Sequence, residues 1–217
     1  MPMSPQPPSK RSSRGPAKTI IGYSISGQDD RATMYSDIEP CDFVPSALLR
    51  DTSRSVHETL CVKCGRKLDP GWIRADFRVS NRRRDITCTY DGYTLVSERF
   101  RSAWLEWNFP GAKFIELPRD PRFFALEATR ILPFDAKAAA TRFEEYCRSC
   151  RNYRVVVGAY PVRLKGIFEP LSPGLYRTDL AFASGIEQHS LLIVDPQVYM
   201  RIRAEKFVGF EFAKITA

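Results

Sequence analysis

Apolar positions fall into one pattern twice along this chain, at an offset of 98 residues (Leu95 to Ile193). The first copy runs Leu95, Val96 and Ser97, then Phe100, Trp104 and Trp107 at i, i+4 and i+7, then Gly111 and Ala112-Lys113-Phe114-Ile115-Glu116-Leu117. The second runs Ile193, Val194 and Asp195, then Val198 and Ile202, then Gly209 and Phe210-Glu211-Phe212-Ala213-Lys214-Ile215. An apolar pair, a stripe of helical period and a strand after a glycine predict strand, helix, strand in each copy. Ser97 and Asp195 suit the N-cap, where a side-chain oxygen accepts from helix N–H groups that lack an intrahelical partner. Pro196 suits the first helical turn, which needs no N–H there. Phe109 and Phe207 also match, each just ahead of its glycine. The aromatic stripes predict core, not a ligand box. Units of this size, residues 94–117 and 192–215, are too short to stand alone, so the two copies are expected to share one sheet system.

Other patterns fill the interval. Residues 72–79 and 86–90 read as strands, with Arg82, Arg83 and Arg84 at a hairpin turn between them. Residues 123–132 read as strand. Asp135 is placed to cap a helix through Ala138, Ala139, Ala140, Phe143 and Tyr146, ending at Cys147. Residues 153–165 read as a long strand or hairpin. Pro170, Pro173 and Gly174 mark a loop before the strand that starts at Leu175. Residues 21–217 are thus expected to form a single α+β domain.

Composition bears on the class of protein. An apolar fraction of 43% in 217 residues can build a core, which excludes wholesale disorder. No apolar run approaches the roughly 20 residues of a membrane-spanning helix, and no secretory h-region is visible. A cytoplasmic protein is expected. The formal charge is +8, of which Lys10, Arg11, Arg14 and Lys18 supply +4 in residues 1–20, a segment without acids. That segment is rich in Pro and Ser and poor in apolar residues, which predicts a disordered basic tail.

The six cysteines sharpen the picture. Cys61-Val62-Lys63-Cys64-Gly65 and Cys147-Arg148-Ser149-Cys150 are CxxC pairs. Two residues between thiolates let one tight turn aim both sulfurs at one tetrahedral ion, and a glycine after the second cysteine supplies the positive φ of such a knuckle. Arg151 stands where the first knuckle has Gly65. Two knuckles make a four-cysteine site suited to structural Zn²⁺. Lys63, Arg66, Lys67, Arg148 and Arg151 would stabilise the thiolates. A redox or disulfide pair, and a site without metal, are the rival readings. The 82 residues from 65 to 146 that separate the pairs require the fold to bring them together. Cys88 is expected as a small buried residue of a strand, sharing a face with Ile86 and Tyr90. Cys41 carries no pattern. A Cys–His enzyme would need His57 or His189 beside a thiol, and no Walker loop, G-x-G-x-x-G, H-E-x-x-H or G-x-S-x-G occurs, so no enzymatic activity is expected.

The order of these features is pair, repeat, pair, repeat. It predicts two related β-α-β modules, each with its own knuckle, joined by one zinc. That order, with Leu175-Tyr176-Arg177 leading into a C-terminal unit ending Gly209-Phe210-Glu211-Phe212, resembles the double-CxxCG proteins of bacterial toxin–immunity cassettes, of which myxobacteria carry many paralogues. The resemblance covers residues 55–217. It implies a non-enzymatic immunity protein that binds and blocks a cognate toxin. The alternative is a zinc-ribbon nucleic-acid binder using the basic tail and the Arg82 to Arg84 turn.

Overall fold

The computed structural model describes residues 19–30, 32–35 and 59–217. Residues 1–18, and with them most of the basic segment, lie outside the described residues, as do Cys41 and His57. Two α-helices lie wholly within the described part: α1 (Glu98–Trp107) and α2 (Pro196–Ala204). Both follow the repeat. Ser97 Oγ accepts from the Phe100 N–H, and the Asp195 carboxylate accepts from the Gln197 and Val198 N–H groups. Phe100, Trp104, Val198 and Ile202 are the buried residues of the two stripes.

The strands, in chain order, are β1 (Ile20–Asp29), β2 (Ile86–Cys88), β3 (Thr94–Ser97), β4 (Ala112–Glu116), β5 (Phe123–Ala128), β6 (Arg130–Leu132), β7 (Arg142–Cys147), β8 (Asn152–Val157), β9 (Leu175–Ser184), β10 (His189–Val194) and β11 (Phe210–Thr216). They make one mixed sheet system of order β4-β5-β3-β2-β1-β10-β9-β8-β7, with β11 on β1 and β6 on β9. The fold is mixed α+β and dominated by the sheet.

The two strands that flank each helix are not neighbours. Strand β5 lies between β3 and β4, antiparallel to both, with Ala125 opposite Leu95 on one side and Ile115 on the other. Strand β1 lies between β10 and β11 in the same sense, with Ser24 opposite Ile193 and Ala213. Leu95 and Ile193, like Ile115 and Ala213, are 98 residues apart. The end of β1 then runs parallel to β2 (Gln28 opposite Thr87), and β6 runs parallel to β9 (Ile131 opposite Arg177).

Both faces of the middle of this sheet are covered. Phe100, Trp104, Val198 and Ile202 pack with Tyr23, Phe124, Ile86 and Leu175 in a core shared by the two helices. Ile21, Tyr176, Phe182, Ile193 and Ile215 form a second core, and Leu60, Phe77, Tyr93, Leu95 and Phe123 a third. Burial of successive residues in different cores explains the unbroken apolar run Leu191-Leu192-Ile193-Val194.

Three expectations are corrected. Residues 135–147 are not a helix. Asp135 caps one turn, accepting from the Ala138 N–H, but Ala140 turns left-handed at φ 53 and the chain enters β7. The stretch Tyr153-Arg154-Val155-Val156-Val157 offers β7 a partner rich in β-branched residues, and pairing with it overrides the helical spacing. That partner strand stops at Val157 and does not reach residue 165; left-handed Gly158 follows. Residues 72–79 are irregular, so there is no hairpin at the three arginines. Asp120 accepts from the Val79 N–H, and Asp30 from those of Ser80 and Asn81, so side-chain carboxylates replace a strand ladder there.

Candidate metal centre

Each CxxC pair sits in a β-hairpin closed at the same register. In the first, Leu60 pairs with Lys67, the Cys61 N–H donates to the Arg66 carbonyl (2.8 Å), and the Gly65 N–H to the Cys61 carbonyl (2.7 Å). In the second, Tyr146 pairs with Tyr153 between β7 and β8. The two match at an offset of 86 (Cys61 to Cys147). Gly65 has φ 71 and its counterpart Arg151 has φ 55, so the second knuckle keeps the left-handed turn without a glycine. A non-glycine residue pays about 1–2 kcal/mol for that conformation.

The fold brings all four sequence-predicted ligands together. The sulfurs of Cys61, Cys64, Cys147 and Cys150 lie within 4.8 Å of one another. Across the hairpins, Cys61 and Cys147 are 3.8 Å apart and Cys64 and Cys150 3.7 Å apart. A tetrahedron with metal–sulfur bonds of about 2.3 Å has sulfur–sulfur edges of about 3.8 Å. The cluster could hold a metal ion, each hairpin giving two ligands.

The thiols differ. Backbone N–H groups of Cys150 and then Ser149 favour the Cys147 thiolate and bring its pKa down to about 6. Burial pushes Cys64 up to about 12 and raises Cys150 as well. Without a cation, the thiolate is thus favoured at Cys147 over Cys64 and Cys150. A bound divalent ion would override that difference, because it requires thiolates as ligands. Lys63, Arg148 and Arg151 are exposed around the cluster and supply compensating charge.

One residue that sequence reasoning missed ties the hairpins together. Gln188, 4% exposed, accepts from Arg66 Nε (2.6 Å) on the first knuckle. Its Nε2 donates to the carbonyls of Tyr153 (3.1 Å) and Arg154 (2.9 Å) just beyond the second. A lone glutamine belongs to no motif, and only its place between β9 and β10 makes it a clamp. Gln188→Leu should weaken zinc binding about tenfold by chelator competition, the lower end for an outer-shell partner, with the far-UV circular dichroism unchanged.

The remaining candidates are dispersed. Arg82 Nε pairs with Asp120 (3.0 Å) and Arg84 donates to the Asp29 carbonyl (3.0 Å), while Arg83 is exposed. Cys88 Sγ accepts from the Gly27 N–H (3.3 Å); it does not share a buried strand face with Tyr90, which is exposed beyond the end of β2. His189 Nδ1 donates to the Glu187 carbonyl (2.9 Å). A cavity of about 480 Å³ beside the first knuckle is lined in part by Lys67, Lys113, Glu127, Arg177 and His189. Lys67 donates there to the Asp91 carbonyl, and Lys113 pairs with Glu127 (3.1 Å). Among the described residues no helix is long and apolar enough to cross a membrane.

No family model and no curated protein matches the chain.

Proposed function

We propose that the chain is a non-enzymatic binding protein, stapled by one structural Zn²⁺ on Cys61, Cys64, Cys147 and Cys150, that protects a bacterial cell by neutralising a cognate toxin. The convergence of the four thiols carries the metal part of this reading. Four sulfurs fill a tetrahedral sphere and leave no position for substrate or water, which suits a structural ion. Zinc is favoured because an all-thiolate tetrahedral set suits it. Thiolate ligands also suit a reducing compartment, which supports the cytoplasm.

The chain reads as two related modules that exchange strands. The first is β1, knuckle, β2, β3, α1, β4. The second is β5, knuckle, β9, β10, α2, β11. Each lends its first strand to the other, in matching register. The two knuckles then meet where the modules join. An ion there would tie the modules together and hold their surface rigid for a partner. The immunity role rests on the resemblance to double-CxxCG proteins. The engagement of Arg82 and Arg84 with the protein body weighs against the nucleic-acid alternative.

Two measurements test the reading. Elemental analysis of protein purified without added metal should give about one zinc per chain, since one tetrahedral site takes four thiolates. A metal-free, fully reduced and stable protein would overturn the zinc assignment. If the gene beside this one encodes a toxin, co-expression of this protein should restore growth to cells that make it. A toxin that kills equally with and without this protein would remove the immunity role and leave the metal centre standing.

A further inference from the structure

The two knuckle hairpins match in register but not in surroundings. In the first, Leu60 and Lys67 are 6% and 5% exposed, covered by the chain's own core, and Lys67 lies over the Tyr93 ring. Their counterparts Tyr146 and Tyr153 are 54% and 39% exposed. Phe143, 38% exposed, joins them: its ring and that of Tyr146 each lie 5.2 Å from the Tyr153 ring. Three solvent-exposed rings on one hairpin face are unusual for a soluble domain and characteristic of binding hot spots.

The backbone is bent to make this face. Side chains alternate along a strand, so Phe143 and Tyr146 would ordinarily point to opposite sides. Glu145 between them is left-handed at φ 55, which breaks the alternation and sets both rings against Tyr153. Glu145 is held there by Arg154, 2.7 Å away. Strain of this kind in a non-glycine residue persists where the arrangement has a use.

We propose that the Phe143, Tyr146 and Tyr153 face, with the basic knuckle tip beside it, is the docking surface for the protein partner, and that the partner adds a strand carrying apolar and acidic side chains to the edge of β7. This rests on the binding-protein reading above. Strand β7 ends the sheet order, with β8 its one neighbour among the described strands, so its outer edge can accept a further strand. The chemistry of the occupant follows from two observations. The equivalent hairpin of the first module is covered by aromatic and aliphatic residues of the third core, so apolar side chains are what fit this face. The tip presents Arg148 and Arg151, and the first knuckle Lys63, all exposed, which calls for acids opposite. With Arg66, these bases outnumber the net −2 of four thiolates around one divalent ion. The chain's own leader, with Lys10, Arg11, Arg14 and Lys18, has the wrong sign for that tip. Glu144 and Glu145, exposed along β7, disfavour a phosphate backbone. The Gln188 clamp on the Tyr153 and Arg154 carbonyls holds the platform rigid before binding, which lowers the entropic cost of docking.

The test uses full-length, zinc-loaded protein and the purified domain of the toxin that the co-expression experiment identifies. Two variants are compared with wild type: Tyr146→Ser with Tyr153→Ser, and Arg148→Glu with Arg151→Glu. Zinc content and melting temperature are checked first. If the tyrosine variant has lost either, Tyr146→Glu alone, at the most exposed ring, replaces it. The tyrosine variant should bind about 30-fold or more weakly. The charge reversal should slow association and weaken its dependence on salt. Amides of residues 142–147 should gain protection from hydrogen exchange in the complex. Wild type and both variants binding alike, or protection confined to another strand, would overturn this surface and leave the function intact. Failure of wild type itself to bind the toxin domain would overturn both. A 15-nucleotide oligothymidine that binds wild type tightly and the tyrosine variant poorly would make the face a nucleic-acid platform and overturn the strand-addition proposal.

Discussion

Cys64→Ser should abolish zinc binding and cost about 4 kcal/mol, the stabilisation given by a ligand at a thousand times its dissociation constant. Cys64 is the informative choice because its side chain is buried and its sulfur lies 3.7 Å from that of Cys150 on the other hairpin. For a domain of this size that loss lowers the melting temperature by about 8–16 °C. The control is a chelator. It should destabilise the wild type by a similar amount and the variant hardly at all, because the two perturbations remove the same interaction. Additive losses would mean that the cysteine stabilises the fold independently of metal. The same site should release its ion in acid. Cys64 and Cys150 hold their protons more tightly than ordinary thiols, and protons compete with metal for the same sulfurs. Affinity measured by competition should therefore fall steadily from pH 8 to pH 6, and the chelator-sensitive part of the stability should fall with it.

Gly111→Ala should cost about 3–5 kcal/mol, in the range of the most damaging single substitutions. Gly111 has φ 96, and a Cβ there would lie 2.2 Å from the Leu175 carbonyl oxygen. The obstacle is backbone, so no rotamer change relieves it. Gly209 is its counterpart 98 residues on, also at φ 96, with a Cβ position 2.5 Å from the Ile86 carbonyl oxygen. Leu175 is held opposite Val194, and Ile86 opposite Val96. Gly111 thus abuts the start of β9 and Gly209 the start of β2 in matching fashion. Gly166→Ala is the comparison: its φ is 71, but nothing lies within 4 Å of the added carbon. It should cost about 1 kcal/mol, the strain of a left-handed alanine alone. Equal losses at Gly111 and Gly166 in a urea titration would show that the close approach of Gly111 to the Leu175 carbonyl contributes little.

Much of the centre was legible in the chain, because a knuckle is a local object. Two residues between cysteines and a left-handed residue after them define the turn, and those are neighbours in sequence. The helices were legible for the same reason: Ser97 and Asp195 act within three residues of themselves. Residues 135–147 were misread because Ala139, Phe143 and Tyr146 satisfy a helical period (i, i+4, i+7), while the competing strand partner begins only at Asn152. Gln188 was invisible because three of its four side-chain partners, Arg66, Tyr153 and Arg154, lie far away along the chain.

The sequence by itself thus determined the two strand–helix–strand copies, their caps, the two CxxC turns and the composition of a folded, basic domain. Only the tertiary structure decided that β1 lies between β10 and β11 and β5 between β3 and β4, that the two pairs of thiols meet, and that Leu60 and Lys67 are covered while Tyr146 and Tyr153 stand exposed beside Phe143. The division follows the range of the interactions. Caps, turns and stripes are set by dihedral preferences and hydrogen bonds within a few residues. Strand partners, burial and the meeting of distant sulfurs depend on which backbone donors and apolar faces remain unsatisfied once every local element has formed.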